Sequence, residues 1–268
     1  MNENKLTKRI EELFADGQIT LAIGYEMGIS GPRPFFCRSA QDASRMVFSN
    51  DFPNNLAVYL TKKEVVAGEK VAVAATVSAL RSIAYLFREN QVGQNQFTIL
   101  HLSPNDELMH FRTPSDIDVY IDHIPSEPSE RDREILEKLE AMTPAERWQF
   151  WQAEFSKCIK CYACRAACPM CYCTRCIVDD NRPQWIDPWP SPLSNMEWQI
   201  SRVMHLAGRC IGCGACGDAC PEGIPVHLLN RRLLENIRAD FGIQAGASPK
   251  DGAVLNTFRP EDRENFIR

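Results

Sequence analysis

No run of apolar residues in this chain is long enough to cross a bilayer. The longest, Val71 to Phe87, is interrupted by Arg81 and falls short of the ~20 residues a spanning helix needs. The N-terminus opens on a charged amphipathic stretch, Met1-Asn2-Glu3-Asn4-Lys5-Leu6-Thr7-Lys8, without the apolar core of a secretory signal. Basic charge is not in excess either. The 30 Lys and Arg face 35 Asp and Glu, a formal charge of −5, so a phosphate backbone is not expected as a partner. The five histidines show no ligand spacing. There is no Gly-rich phosphate loop, no paired-acid site and no Ser/His constellation. These absences argue against membrane insertion, nucleic-acid binding and the common hydrolytic sites, and a cytoplasmic protein is expected. At 268 residues, 44% apolar and 24% charged, the composition is that of an ordinary globular chain of one large or two modest domains.

Cysteine is abundant instead. Eleven of the 12 lie between Cys158 and Cys220. Without an export signal these thiols belong in a reducing compartment, where metal binding or redox chemistry outweighs a disulfide framework.

The organisation along the chain reads as an α/β scaffold domain over residues 1–125, a helical linker over 126–157, a cysteine-rich domain over 158–241 and an extended arm over 242–268. In the first part a helix is expected at about Asn4–Ala15 and a strand at Ile19–Tyr25. Apolar segments follow at Leu56–Leu60 and Lys70–Ala75. Ser78–Asn90 has helical spacing and Phe97–Leu102 reads as a strand, so Lys70–Leu102 is expected to form a β-α-β unit with parallel pairing. Ile117–Ile121 is expected to add an edge strand. A helix is expected over Glu130–Met142. Thr143-Pro144-Ala145-Glu146 predicts a second one, capped by Thr143, that delivers the chain to Cys158. Beyond the Pro-rich loop at 187–192, a helix capped by Ser194 or Asn195 is expected to turn Met196, Ile200, Val203, Met204 and Ala207 inward. A last helix opens at Pro225.

Two stretches of the cysteine region repeat. Lys157-Cys-Ile-Lys-Cys-Tyr-Ala-Cys-Arg-Ala-Ala-Cys-Pro169 and Arg209-Cys-Ile-Gly-Cys-Gly-Ala-Cys-Gly-Asp-Ala-Cys-Pro221 agree at eight of thirteen positions. Both follow C-x2-C-x2-C-x3-C-P, the ligand run of bacterial-type dicluster [4Fe-4S] ferredoxins, in which the fourth cysteine serves the other cluster. Cluster A is therefore expected to take Cys158, Cys161, Cys164 and Cys220. Cluster B takes Cys210, Cys213, Cys216 and Cys168. Zinc normally uses two separated C-x2-C knuckles and requires neither the third step nor the trailing Pro. Cys171, Cys173 and Cys176 form a further compact set, for which Cys37 is the remaining cysteine; a third cluster, a three-thiol site with a non-cysteine or partner-supplied ligand, and buried free thiols all fit it, and Cys37 taken alone reads as a buried thiol. Residues 157–169 carry Lys157, Lys160 and Arg165, whereas 209–222 carry Arg209, Asp218 and Glu222, so cluster A is expected to have the higher potential. The five tryptophans, Trp148 to Trp198, flank or enter this region and are expected to shield the clusters.

The run Cys158 to Cys176, with Pro183-Gln-Trp185 and His205-Leu-Ala-Gly-Arg-Cys210, resembles the iron–sulfur β subunits of deazaflavin-type hydrogenases and formate dehydrogenases, above all their heterodisulfide-reductase-associated relatives. The resemblance covers residues 140–240 and reaches weakly into the first domain. It implies a subunit of an anaerobic redox complex, with partners of heterodisulfide-reductase, hydrogenase or formate dehydrogenase type. Members of that family can bind a flavin. Where relatives carry a Gly-Cys-Asp turn this chain has Val77-Ser78-Ala79, so FAD is not expected and the first domain reads as a shortened scaffold. The expected protein is a non-catalytic electron-transfer subunit with two [4Fe-4S] clusters and room for a third. The alternative is a flavin-dependent oxidoreductase subunit with FAD in the first domain.

Overall fold

A computed structural model describes residues 5–180 and 182–246. The chain divides into two units. The first holds the described residues up to Ile124 together with Ala245 and Gly246, and the second runs from Pro125 to Gln244. Most of the expected C-terminal arm, residues 247–268, lies outside the described residues.

The first unit is a mixed sheet with flanking helices. Its elements are α1 (Lys5–Ala15), β1 (Leu21–Gly28), β2 (Gly31–Cys37), β3 (Met46–Val47), α2 (Lys63–Val66), β4 (Val71–Ala74), α3 (Val77–Arg88), β5 (Phe97–Leu102), β6 (Leu108–Phe111) and α4 (Pro114–Ile121). Helix α1 forms because Leu6, Ile10 and Leu13 fall on one face, which is buried. The strand order is β2-β1-β4-β5-β6, with β3 also paired to β1. Strands β1, β4 and β5 run parallel, with Ile23 opposite Val73 and Val73 opposite Ile99. Every residue of β4, Val-Ala-Val-Ala, is buried, as a central parallel strand covered on both faces requires. The right-sized crossover is α3, so the β-α-β unit over 70–102 is present. Hairpins add the antiparallel edges β2 and β6. The apolar segment Leu56–Tyr59 is a 3-10 helix, started by the Asn55 side chain, which accepts from the Ala57 amide.

The strand expected at Ile117–Ile121 is a helix, α4. Thr113 and Asp116 form a capping box there, with Pro114 in the first turn. Ile117 and Ile121, one helical turn apart, are buried, whereas Val119 points outward at 72% exposure. Asp118 faces inward and accepts from Arg88 of α3 at 2.6 Å.

His101 on β5 is fully buried between Ala75 O (Nδ1, 2.7 Å) and the Tyr120 hydroxyl (Nε2, 2.9 Å). Burial lowers its pKa below the usual 6.5. As pH falls through 6.5 the unfolded chain takes up a proton that the folded one refuses, so folding stability declines from 6.5 down to the depressed folded value and levels off below it. The His101→Gln variant is expected to lose that part of the pH slope between pH 7 and 5. Equal slopes in wild type and variant, followed by thermal unfolding of this unit, would defeat the assignment.

The second unit consists of helices α5 (Glu130–Ala141), α6 (Pro144–Ser156), α7 (Ala163–Ala166), α8 (Pro192–His205), α9 (Ala215–Asp218) and α10 (Val226–Phe241), and has no strand among the described residues. The expected capping box at Thr143–Glu146 starts α6. Ser191, not Ser194 or Asn195, caps α8, since Pro192 takes its first turn. Cys158, Cys164 and Cys216 are part of this unit's core, alongside Phe155, Trp198 and Val226. No described helix is long and apolar enough to cross a membrane.

Candidate metal centres

Helix α6 ends at Ser156, and Asn195 of α8 clamps the exit by donating to the carbonyls of Phe155 (3.1 Å) and Cys158 (2.8 Å). The loop that follows is folded twice in the same way. In the first motif Lys160 and Tyr162 have φ of 54° and 57°, and in the second Gly212 and Gly214 have 75° and 78°. The short helices α7 and α9 then begin at equivalent positions. Glycine takes this left-handed backbone freely, whereas a side chain adds roughly 1–2 kcal/mol per residue. Side-chain anchors offset that cost in the first motif. Lys160 Nζ donates to Asp187 O and to Ser194 Oγ. The Tyr162 ring meets Trp198 edge-on at 5.2 Å.

Two cavities result. One is lined by Cys158, Cys161, Cys164 and Cys220, with Pro221 and Trp198. The other is lined by Cys168, Cys210, Cys213 and Cys216, with Pro169 and Asn230. Each takes three cysteines from one motif and the fourth from the other. Among the described residues no three His, Cys, Asp or Glu side chains converge as a single ion would require. A cubane spreads its thiolates over the corners of an inorganic core and so takes a wider cage than the tetrahedron of a zinc knuckle. Burial holds the Cys164 thiol up to about 11 and pushes those of Cys210 and Cys216 up. Ligation by such thiols requires their protons to leave as the metal enters.

Polar groups that the sequence reading did not assign to the site face these cysteines. On α8, Asn195, Gln199 and Arg202 are buried, while Ile200 and Met204, expected inside, are 40% and 58% exposed. Gln199 Nε2 lies 3.6 Å from Cys158 Sγ, and Arg202 Nη2 donates to Cys164 O at 2.9 Å. Asn230 of α10 brings Nδ2 within 3.9 Å of Cys216 Sγ, and the Gly212 amide donates to Cys210 Sγ at 3.4 Å. Such donors stabilise charge on sulfur and tune an iron–sulfur cluster's potential. The sequence did carry a signal for them: polar residues at 195, 199 and 202 share a helical face. Of the tryptophans, Trp198 is buried at the first cavity and Trp151 stacks near Phe155, with ring centroids 5.3 Å apart. Trp148, Trp185 and Trp189 are exposed.

The remaining cysteines are distributed unevenly. The Cys171 thiol donates to the Cys168 sulfur, which raises the pKa of Cys171 and lowers that of Cys168. Cys173 is exposed and Cys176 half-buried. Cys37 belongs to the first unit, where it is fully buried and its thiol donates to Ser39 O at 3.1 Å. At the start of α3, Thr76 Oγ1 accepts from the Ala79 amide and Asn50 Oδ1 from the Val77 amide.

Gly217 of α9 shows how tightly the second cavity is built. A Cβ there would stand 2.0 Å from Nδ1 of His227, whose Nε2 is tied to Asp132 at 2.9 Å. Helix propensity alone favours Gly217→Ala by about 1 kcal/mol. The clash reverses the sign, and a net loss of roughly 1–3 kcal/mol is expected, with weaker iron retention in the second cavity. A stabilised variant in denaturant unfolding would contradict this packing.

Residues 154–224 match the family described as 4Fe-4S dicluster domain. Over 92 residues the chain is 31% identical to the F420-dependent formate dehydrogenase subunit beta of Methanocaldococcus jannaschii. That match covers 34% of this chain, and the chain spans only 24% of the relative's length. The second unit thus carries a 4Fe-4S dicluster domain, in a chain similar to an iron–sulfur β-subunit family.

Proposed function

We propose that the protein is an electron-transfer subunit of a multi-subunit redox complex, relaying single electrons through two [4Fe-4S] cubanes between the cofactors of its partners. The observation that carries this reading is the pair of four-cysteine cavities, each completed by a cysteine of the other motif. Cys158, Cys161, Cys164 and Cys220 would hold cluster A, and Cys168, Cys210, Cys213 and Cys216 cluster B. The bound cubanes supply the one-electron chemistry. The chain fixes their positions, excludes water from Cys158, Cys164 and Cys216, and aims the Gln199 and Asn230 amides at their sulfurs. The similarity to a formate dehydrogenase subunit favours a dehydrogenase of that type as the partner. The intrinsic caps on α3 favour a scaffold role for the first unit over a flavin site, because its first amides are already satisfied by Thr76 and Asn50.

Anaerobic purification followed by iron and sulfide analysis and a visible spectrum tests the reading. A broad charge-transfer shoulder without flavin bands is expected. Flavin bands would favour the oxidoreductase alternative, and a colourless zinc protein would defeat both. The same iron count separates two cubanes from three.

A further inference from the structure

Between their first two ligands the motifs differ at a single residue. Cys158-Ile-Lys-Cys161 carries Lys160 where Cys210-Ile-Gly-Cys213 carries Gly212, and both hold that residue at positive φ. Glycine meets this backbone at no steric cost, whereas lysine does not. The lysine is also buried, at 6% exposure. Its Nζ donates to Asp187 O and Ser194 Oγ, two uncharged acceptors. Burial works against the cation, and Asp187, Cys158 and Glu197 favour it in that order; neither carboxylate reaches it as an ion pair. A buried ammonium held only by neutral oxygens is costly unless an anion lies close by.

The neighbouring charges are answered locally. Lys157 pairs with Glu154 at 2.7 Å and Arg165 with Asp179 at 2.8 Å, so of the three cations of the first motif only Lys160 lacks a carboxylate partner. At the second motif the guanidinium of Arg231 closes on the equivalent position, with Nη1 2.7 Å from where a Cβ on Gly212 would stand. Arg231 is paired with Glu235 at 3.3 Å. Glu222 lines the first cage but is exposed, where solvent and salt screen its charge.

We infer that Lys160 raises the reduction potential of the cubane held by Cys158, Cys161, Cys164 and Cys220, and is the charge by which the first cage departs from the second. The inference rests on the two-cubane relay proposed above. An electron from a partner's one-electron carrier adds one negative charge inside the cage, and no protein bond forms or breaks. A buried cation on the loop between two ligands favours that added charge more strongly than an exposed one would. The first motif thus keeps a costly lysine where the second has glycine.

An EPR-monitored redox titration of the anaerobically purified full chain tests this with Lys160→Gly and Lys160→Arg. K160G gives the first motif the residue that the second already carries in the same backbone conformation, so it removes the charge without straining the loop. In K160G one cluster is expected to become at least tenfold harder to reduce, about 59 mV for one electron, while the other moves less. The potential that moves is expected to be the one missing from Cys158→Ala. In K160R, which keeps the charge, the shift is smaller. Unchanged potentials in K160G at full iron content, equal shifts of both clusters, or a shift of the potential missing from Cys210→Ala would overturn the inference. Should K160G retain less iron, K160R decides: near-native potentials support the charge, and a full tenfold shift at intact charge overturns it. Wild-type protein without the iron of two cubanes would instead defeat the relay reading, whatever the variants do.

Discussion

Replacing Cys220 by Ala is expected to empty the cage of the first motif, although Cys220 belongs to the second. In the fold Cys220 lines the cavity of Cys158, Cys161 and Cys164, and Cys168 lines that of Cys210, Cys213 and Cys216. The cause is local. Helices α7 and α9 are four residues long and carry the chain past its own loop, so the cysteine before each Pro points away from the three that precede it. Single variants cannot prove this, because crossed and uncrossed ligation both predict the loss of one cluster. Double variants can, since two changes in one cage cost no more than one, whereas changes in separate cages add. Cys220→Ala with Cys158→Ala is expected to retain about half the iron and sulfide, like Cys220→Ala alone. Cys220→Ala with Cys210→Ala is expected to retain almost none. The reverse pattern would establish that each motif binds its own cluster.

What could be read from the sequence divides along the range of the forces involved. The cysteine repeat was legible because ligand spacing is a constraint on neighbouring residues, and the capping box at Thr143 for the same reason. The parallel pair β4–β5 was legible because its crossover helix carries its own apolar period. Ile117–Ile121 was misread because Ile117, Val119 and Ile121 alternate like a strand. The deciding information sat upstream, in the Thr113–Asp116 cap, which starts a helix and turns Val119 to solvent. The inner face of α8 was misread in part and on a different ground: Met196, Val203 and Ala207 are buried as expected, whereas Ile200 and Met204 are not. Hydrophobicity favours burying Ile200 and Met204, but a core that is to surround anionic sulfur needs donors, and Asn195, Gln199 and Arg202 take the inside instead. Which face of a helix turns inward then depends on what the core contains, and no periodicity states that.

Removing the clusters with a chelator is expected to unfold the second unit and leave the first standing. The first unit has a core built from ordinary apolar contacts, among them Leu6, Ile10, Leu13, Ala72 and Leu100. The second has Cys158, Cys164 and Cys216 in its core and, among its described elements, two four-residue helices that are too short to persist alone. Without metal, the buried thiols that line its two cysteine sites lose the core they would surround. Trp198 Nε1 and Asn230 Oδ1 are buried there with no hydrogen-bond partner. Each unsatisfied buried group costs about 1–3 kcal/mol, against a net stability of only about 5–15 kcal/mol for a whole domain. Metal binding is therefore coupled to folding in this unit. Every tryptophan of the chain, from Trp148 to Trp198, belongs to it, so tryptophan emission reports the second unit alone. Chelation should shift that emission to the red and expose residues 125–244 to protease, while the first unit keeps its sheet signal in circular dichroism. Emission and protease resistance that survive complete loss of iron would show that packing, not the clusters, holds the second unit together.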